Sequence, residues 1–338
     1  MVRDVAALAL LALTACHDAA MPGAKANGGA PRPVQVIASV DLDPVASAHE
    51  FSGLAWDSRK GVLLAISDRF PVIAEIRPSA DFRAWTFGAR IAVSGVAPWD
   101  GEGIVWLGDQ LIIANERPAR LVETDRTGKW IRDLPLPEHF STCRNNRCLE
   151  SLTVTSDSRY LFTANEAALP SDGPEPSDER GTTVRIARID RTKGETKEWA
   201  YATDPVCAPG PNGEVGVTDL VALDATSLLV LERSYVPNVQ NRIRLYRVRL
   251  EGEDVLTLPD ARTVAPLRKT LLFDIADLDP ARPFVPNYEG MCLGPQLSDG
   301  RALLFLVSDD NARADQIARL LVLAVSLAPS SLETAALR

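Results

Sequence analysis

The hydrophobic positions of this chain fall in short runs, and many of those runs end on an acid. "LLAISDR" at 63–69, "LIIANER" at 111–117, "YLFTANE" at 160–166, "LLVLER" at 228–233 and "LLFLVSDD" at 303–310 close on Asp68, Glu116, Glu166, Glu232 and Asp309. Ahead of each lies a second motif: "FSGLAW" at 51–56, "GEGIVW" at 101–106, "LESLTV" at 149–154, "VTDLVAL" at 217–223 and "YEGMCL" at 288–293. Gly53, Gly103, Ser151, Asp219 and Gly290 align across the five copies. A fixed motif order with variable gaps marks a structural repeat.

Within a repeat, strand follows strand. The second reads "GIVWL", "LIIANE", "ARLVETD" and "WIRDLPL", with Gly- and Asp-rich turns between. Val, Ile, Leu and Trp suit strands, and no long helical periodicity appears. Four antiparallel strands repeated about an axis predict an all-β fold, a β-propeller. Five blades are counted. Six is the alternative, if the wide 151–219 or 219–290 gap holds a degenerate blade. The last repeat supplies three strands, and "PVQVIASVDL" at 33–42 is a strand without a blade, so it is expected to complete the last one and close the ring. Closure leaves no exposed sheet edge at the joint. The segments 170–181 and 203–216, rich in Pro, Gly and acidic residues, read as long rim loops.

Composition narrows the partners. The 338 residues carry a formal charge of −9, which argues against nucleic acid and is compatible with cations. A monomer is expected. Three His leave little room for a His-rich zinc site, and no G-x-S-x-G elbow is present. Residues 1–16, "MVRDVAALALLALTAC", have the apolar core of a signal peptide. "LTAC" resembles the lipobox of bacterial lipoproteins, which implies cleavage before Cys16 and lipid attachment to its sulfur. Residues 17–33 read as a flexible tether, with the propeller domain over 34–338. The expectation is an exported chain, lipid-anchored in a Gram-negative outer membrane and facing the periplasm or the exterior. Export permits disulfides. Proximity favours Cys143–Cys148, which leaves Cys207 and Cys292 as a further possible pair.

"EFSGLAW", "DGEGI", "NERPARLVE", "RCLESLTV", "GVTDLVAL", "NRIRLYRV" and "NYEGMCLGPQLSDGRALLFLVSDDN" together resemble the phytase-like family, whose domain is described as esterase-like activity of phytase. The resemblance runs from about residue 45 to about 325. It implies a secreted bacterial propeller linked to phosphoester hydrolysis.

The first strand of each blade should line the axis, which would gather Glu102, Glu150 and Glu289, with Asp219 and Glu50 displaced by a residue or two. Carboxylates converging on one axis repel unless a cation sits between them. Calcium suits Glu102, Glu150, Asp219 and Glu289 as ligands, and another divalent ion is the alternative. The bland reading is that these acids cap turns. Arg69, Arg117 and Arg233 follow three of the strand-end acids, and Arg suits bidentate phosphate contacts. Alternatively each Arg bridges to an acid of the adjacent blade. With Glu102, Glu150 and Glu289 they form the candidate catalytic set for a small phosphorylated or ester substrate. A non-catalytic binding platform is the competing function.

Overall fold

Each repeat folds into one four-stranded antiparallel sheet in the computed structural model, which describes residues 34–42, 50–278, 285–313 and 316–327. The expected signal peptide, Cys16 and the expected tether at 17–33 lie outside the described residues. Blade I holds β2 (Phe51–Asp57), β3 (Val62–Ser67), β4 (Val72–Pro78) and β5 (Trp85–Ala92). Blade II holds β6 (Gly101–Trp106), β7 (Gln110–Asn115), β8 (Arg120–Asp125) and β9 (Trp130–Leu134). Blade III holds β10 (Thr153–Val154), β11 (Tyr160–Ala164), β12 (Thr183–Asp190) and β13 (Thr196–Ala202). Blade IV holds β14 (Glu214–Ala222), β15 (Ser227–Val236), β16 (Gln240–Arg249) and β17 (Lys269–Asp274). Blade V is built from β18 (Asn287–Gln296), β19 (Ala302–Asp309), β20 (Arg319–Val325) and, outermost, β1 (Val34–Asp41). Five sheets account for all twenty strands described, so the six-blade alternative is set aside.

Closure is as the lone N-terminal strand predicts. β1 pairs with β20 from Val34 opposite Val325 to Asp41 opposite Arg319, and Arg319 Nε meets Asp41 Oδ1 at 2.6 Å. The core is five interfaces between neighbouring sheets. In β3, Leu63 and Ala65 pack toward blade V, while Leu64 and Ile66 pack toward blade II. The two-residue period of a strand places alternate side chains on opposite faces, so a strand buried on both faces reads as a continuous apolar run. The bridge Cys143–Cys148 forms, with Cα atoms 5.3 Å apart. Cys207 and Cys292 are not joined, because Cys292 is buried on β18 against blade I while Cys207 lies in the loop before β14.

The first strands of the five blades ring the axis, and the aligned position is where they come closest. A Cβ on Gly53 would lie 2.2 Å from the Glu102 carbonyl oxygen, and one on Gly290 would lie 2.6 Å from that of Ser52. Blade IV places Asp219 there instead. Its buried carboxylate accepts from the amides of Leu220 (2.8 Å) and Met291 (2.6 Å), and from that of Leu152, so it ties blades III, IV and V together. Asp219→Ala strands three buried N–H donors, at about 1–3 kcal/mol each. Guanidinium unfolding should show a loss of about 3 kcal/mol or more; a midpoint unchanged from wild type would refute the clamp.

Candidate active site

Three positions per blade converge at one end of the axis. The first lies at the entry to the inner strand: Glu50, Asp100, Cys148, Gly216 and Asn287. The second is a residue that the pairing register skips: Ser52, Glu102, Thr218 and Glu289, each between two paired residues of its strand. Blade III has the same surplus residue, Glu150, between the Leu149–Asn165 bridge and the Thr153–Phe162 pair. A β-bulge leaves one residue unpaired and re-aims its side chain, here in every blade. The third position lies opposite the first, at or near the end of the second strand: Asp68, Glu116, Glu166, Arg233 and Asp309. Nine of these fifteen residues are carboxylates.

The acids act on one another across blades. Burial, and then Asp68, Glu289, Glu116 and Asp100, push the Glu102 carboxyl well above the usual carboxylate range. Glu150 is pushed up by burial and then by Glu102, Glu166, Glu116 and Glu289. Asp68 rises to about 7, from burial and then Glu50 and Glu289. Glu116 also rises to about 7, chiefly from burial, although the Cys148 amide opposes the shift by donating to Oε1 at 2.7 Å. Asp100, Glu102 and Glu116 each bring a carboxylate oxygen within 4.8 Å of the other two. An all-carboxylate donor set with buried, mutually repelling charge fits a hard divalent cation. Three buried oxygens of the ring, Glu50 Oε2, Asp68 Oδ1 and Thr218 Oγ1, have no hydrogen-bond partner among the described residues.

The arginines divide. Arg233 bridges blades: its guanidinium reaches Glu166 of blade III (2.8 Å) and Glu289 and Asn287 of blade V. Its side chain is 13 % exposed, so those carboxylates hold it inside the ring. Arg69 and Arg117 instead pair within their own blades, with Glu50 (3.1 Å) and Asp100 (2.5 Å). Their side chains are 60 % and 50 % exposed, leaving guanidinium edges toward solvent. Arg147 adds ion pairs to Glu166 (3.7 Å) and Glu214. A cavity of about 140 Å³ beside Arg233 is lined by Glu214, Tyr235, Asn241, Asn287 and Asn311.

Glu102, Glu150 and Glu289 all occupy the bulge position, and Glu150 is pushed up by burial and by both of the others. Asp219 stands apart, its oxygens held by backbone amides. Glu232 is displaced by one residue from the other strand-end acids: it pairs with Val217, and Arg233 takes the ring position. Glu232 is buried instead against Tyr201 Oη and Lys269 Nζ, both at 2.5 Å. Asp100 is a site residue that the motif reading left out, although "DGEGI" contains it. Its signal is the equivalence of Glu50 and Asp100, two residues ahead of the bulge in blades I and II.

A carboxyl whose folded pKa is raised binds its proton more tightly in the native state. Its stabilisation is full below the unfolded value and is lost as pH rises through the folded one. For Asp68 and Glu116 that window runs from about 4 to about 7. Depressed acids such as Asp190, held low by Arg159, act below it. In chelator, Tm should fall by roughly 4 °C or more between pH 4.5 and 8, and excess calcium should flatten the fall. Thermal scans across pH check this, and a chelated protein that gains stability over the range would contradict it.

Similar solved structures include an endo-arabinase from Bacteroides thetaiotaomicron, at 11 % identity over 85 % of this chain and 98 % of that one, TM-score 0.48. A glutaminyl cyclase from Myxococcus xanthus matches at 10 % identity over 87 % of this chain and 100 % of that one, TM-score 0.42. These likenesses carry no argument about activity. No curated protein matches the sequence. Residues 47–312 match the phytase-like family, described as esterase-like activity of phytase, and so the chain belongs to that family.

Proposed function

We propose that this chain is an exported, divalent-cation-dependent phosphoester hydrolase, with calcium the best-suited ion and the acid-lined end of the axis as the active site. The observation that carries the reading is the buried set Asp100, Glu102 and Glu116, with ligand oxygens within 4.8 Å of one another, beside the half-exposed Arg117. A bound cation would supply Lewis acidity and an activated water. Arg117 and Arg69 offer N–H edges for the non-bridging oxygens of a phosphoryl group. Glu150, whose pKa burial raises, holds a proton that it can deliver to a leaving oxygen. Arg233 and Asn287 fix Glu289 and keep that side of the ring from needing a second ion.

Purified protein should turn over a phosphomonoester or phosphodiester only with a divalent ion present. Glu102→Gln should lower turnover by about a hundredfold or more. Arg117→Gln should act mainly through KM, because it removes substrate contacts at the exposed edge. No turnover on a panel of phosphoesters and carboxylesters, with each metal tried, would remove the reading. The bridging of three blades by Arg233 favours the second reading, a rigid binding platform, in that event.

The proposal places the protein on a membrane through lipid on Cys16, with 17–33 as the tether. Among the described residues no helix is long and apolar enough to cross a membrane. Two or more acyl chains anchor stably where one does not. Cys16→Ser should therefore move the protein from the membrane to the soluble fraction. Membrane retention of that variant, or an unmodified native N-terminus by mass spectrometry, would replace the anchor with a plain secretory signal.

A further inference from the structure

The mouth of blade III is built unlike the other four. Its inner strand β10 has two residues, against seven in β2, six in β6, nine in β14 and ten in β18. Cys148, Leu149 and Glu150 precede β10, joined to the next strand through the single Leu149–Asn165 bridge. In blades I to III one main-chain bond joins the first ring residue to the third, from the amides of Asp68, Glu116 and Glu166 to the carbonyls of Glu50, Asp100 and Cys148; in blade III that first residue is also fixed by a covalent loop. Cys143–Cys148 closes around Arg144, Asn145, Asn146 and Arg147. Cys148 is 2 % exposed, packed with Phe140, Leu149 and Leu152.

From that fixed point the loop reaches the ring acids of two blades. The Cys148 amide donates to Glu116 Oε1 at 2.7 Å, and the Cys148 carbonyl accepts from the Glu166 amide at 2.6 Å. Glu116 Oε2 is left 3.5 Å from Arg117 Nε, which itself holds Asp100. The loop's arginines pin its flanks: Arg144 donates to the carbonyls of Ala168 (3.0 Å) and Gly173 (2.8 Å), and Arg147 pairs with Glu166 and Glu214. A main-chain donor on one carboxylate oxygen fixes the direction of the other, as groups hydrogen-bonded to metal ligands generally do.

We infer that the Cys143–Cys148 loop is a positioning element of the cation centre, with the Cys148 amide aiming Glu116 at the site it shares with Asp100 and Glu102. The inference rests on the cation reading above. Opening the loop removes the constraint on the Cys148 amide while leaving every carboxylate in the chain. The expected consequence is weaker cation binding with one ligand oxygen exchanged for water.

Europium(III), a hard oxygen-seeking ion, serves as the probe on the full chain. Its affinity comes from titration, and the waters on it come from luminescence lifetimes in light and heavy water. The oxidised protein is compared with Cys143→Ser/Cys148→Ser and with the wild type reduced by a water-soluble phosphine. Affinity should fall roughly ten- to a hundredfold, and the ion should gain about one water. Reoxidation of the reduced wild type should restore both values, with far-UV circular dichroism unchanged throughout. Equal affinity and hydration in the open and closed forms overturn the inference and leave the cation reading standing. Absence of europium binding to the oxidised chain removes the cation reading and this inference with it. Loss of the strand signal on opening also overturns it, since the loop would then hold the blade rather than the site.

Discussion

Like charge brought to the axis of a closed ring is the constraint on which this structure depends. Five inner strands meet closely enough that glycine is needed at three of the aligned positions, and the residue just before each of those positions is turned into the axis by a bulge. Three of the five bulge residues are Glu. Ionised carboxylates cannot accumulate in a desolvated space without protons, cations or fixed counter-charges. The ring uses fixed counter-charge on one side, and on the other it leaves the acids with one another.

That division follows from one position. Four blades carry an acid at the third ring position, and blade IV carries Arg233 there. Buried among Glu289, Glu166, Glu214 and Glu150, Arg233 has its charge reinforced by its neighbours, and its pKa is raised despite burial. It does for blades III to V what an ion could do, with a fixed geometry. Blades I and II have Arg69 and Arg117, but these stand half or more in solvent: Arg69 engages Glu50, and Arg117 engages Asp100 and, at 3.5 Å, Glu116. Asp68 and Glu102 are thus left without an ion pair among the described residues, and Glu116 has only that longer contact. A held proton relieves the repulsion there, and on the proposed reading a cation would do so at higher pH.

The architecture was legible because repetition constrains it twice. The glycine motif marks where strands converge, and the acid-ended run marks the strand that follows. Both motifs recur five times, with Ser151 and Asp219 in place of two glycines, so five blades and the spare strand at 33–42 are read from spacing, and the sheets remove the six-blade alternative. The electrostatics were less legible, since a strand reverses its faces at every residue. "LER" at 231–233 looks like "NER" at 115–117, yet the ladder places Glu232 where Asn115 stands and Arg233 where Glu116 stands. Variable hairpin lengths hide that slip, because spacing across a turn does not determine register. Asp219 shows the same limit: an acid at an aligned position reads as a ligand until three backbone amides are seen to occupy it.

The scaffold bears on chemistry through stiffness. Bulge residues on strands buried on both faces cannot swing away from one another to relieve repulsion, so the cost of charging the ring appears as raised pKa values rather than as movement. Glu116 and Asp68 near 7 can release their protons to an arriving cation at neutral pH, whereas Glu102 and Glu150, pushed further up, need the cation to ionise at all. On the proposed cation reading, uptake would release protons, and affinity would rise with pH through the range in which these groups titrate. The proposed cation reading also accounts for a ring with an arginine at one of its fifteen positions, Arg233. A second fixed guanidinium in blade I or II would neutralise the acids permanently and leave no charge for a cation to answer.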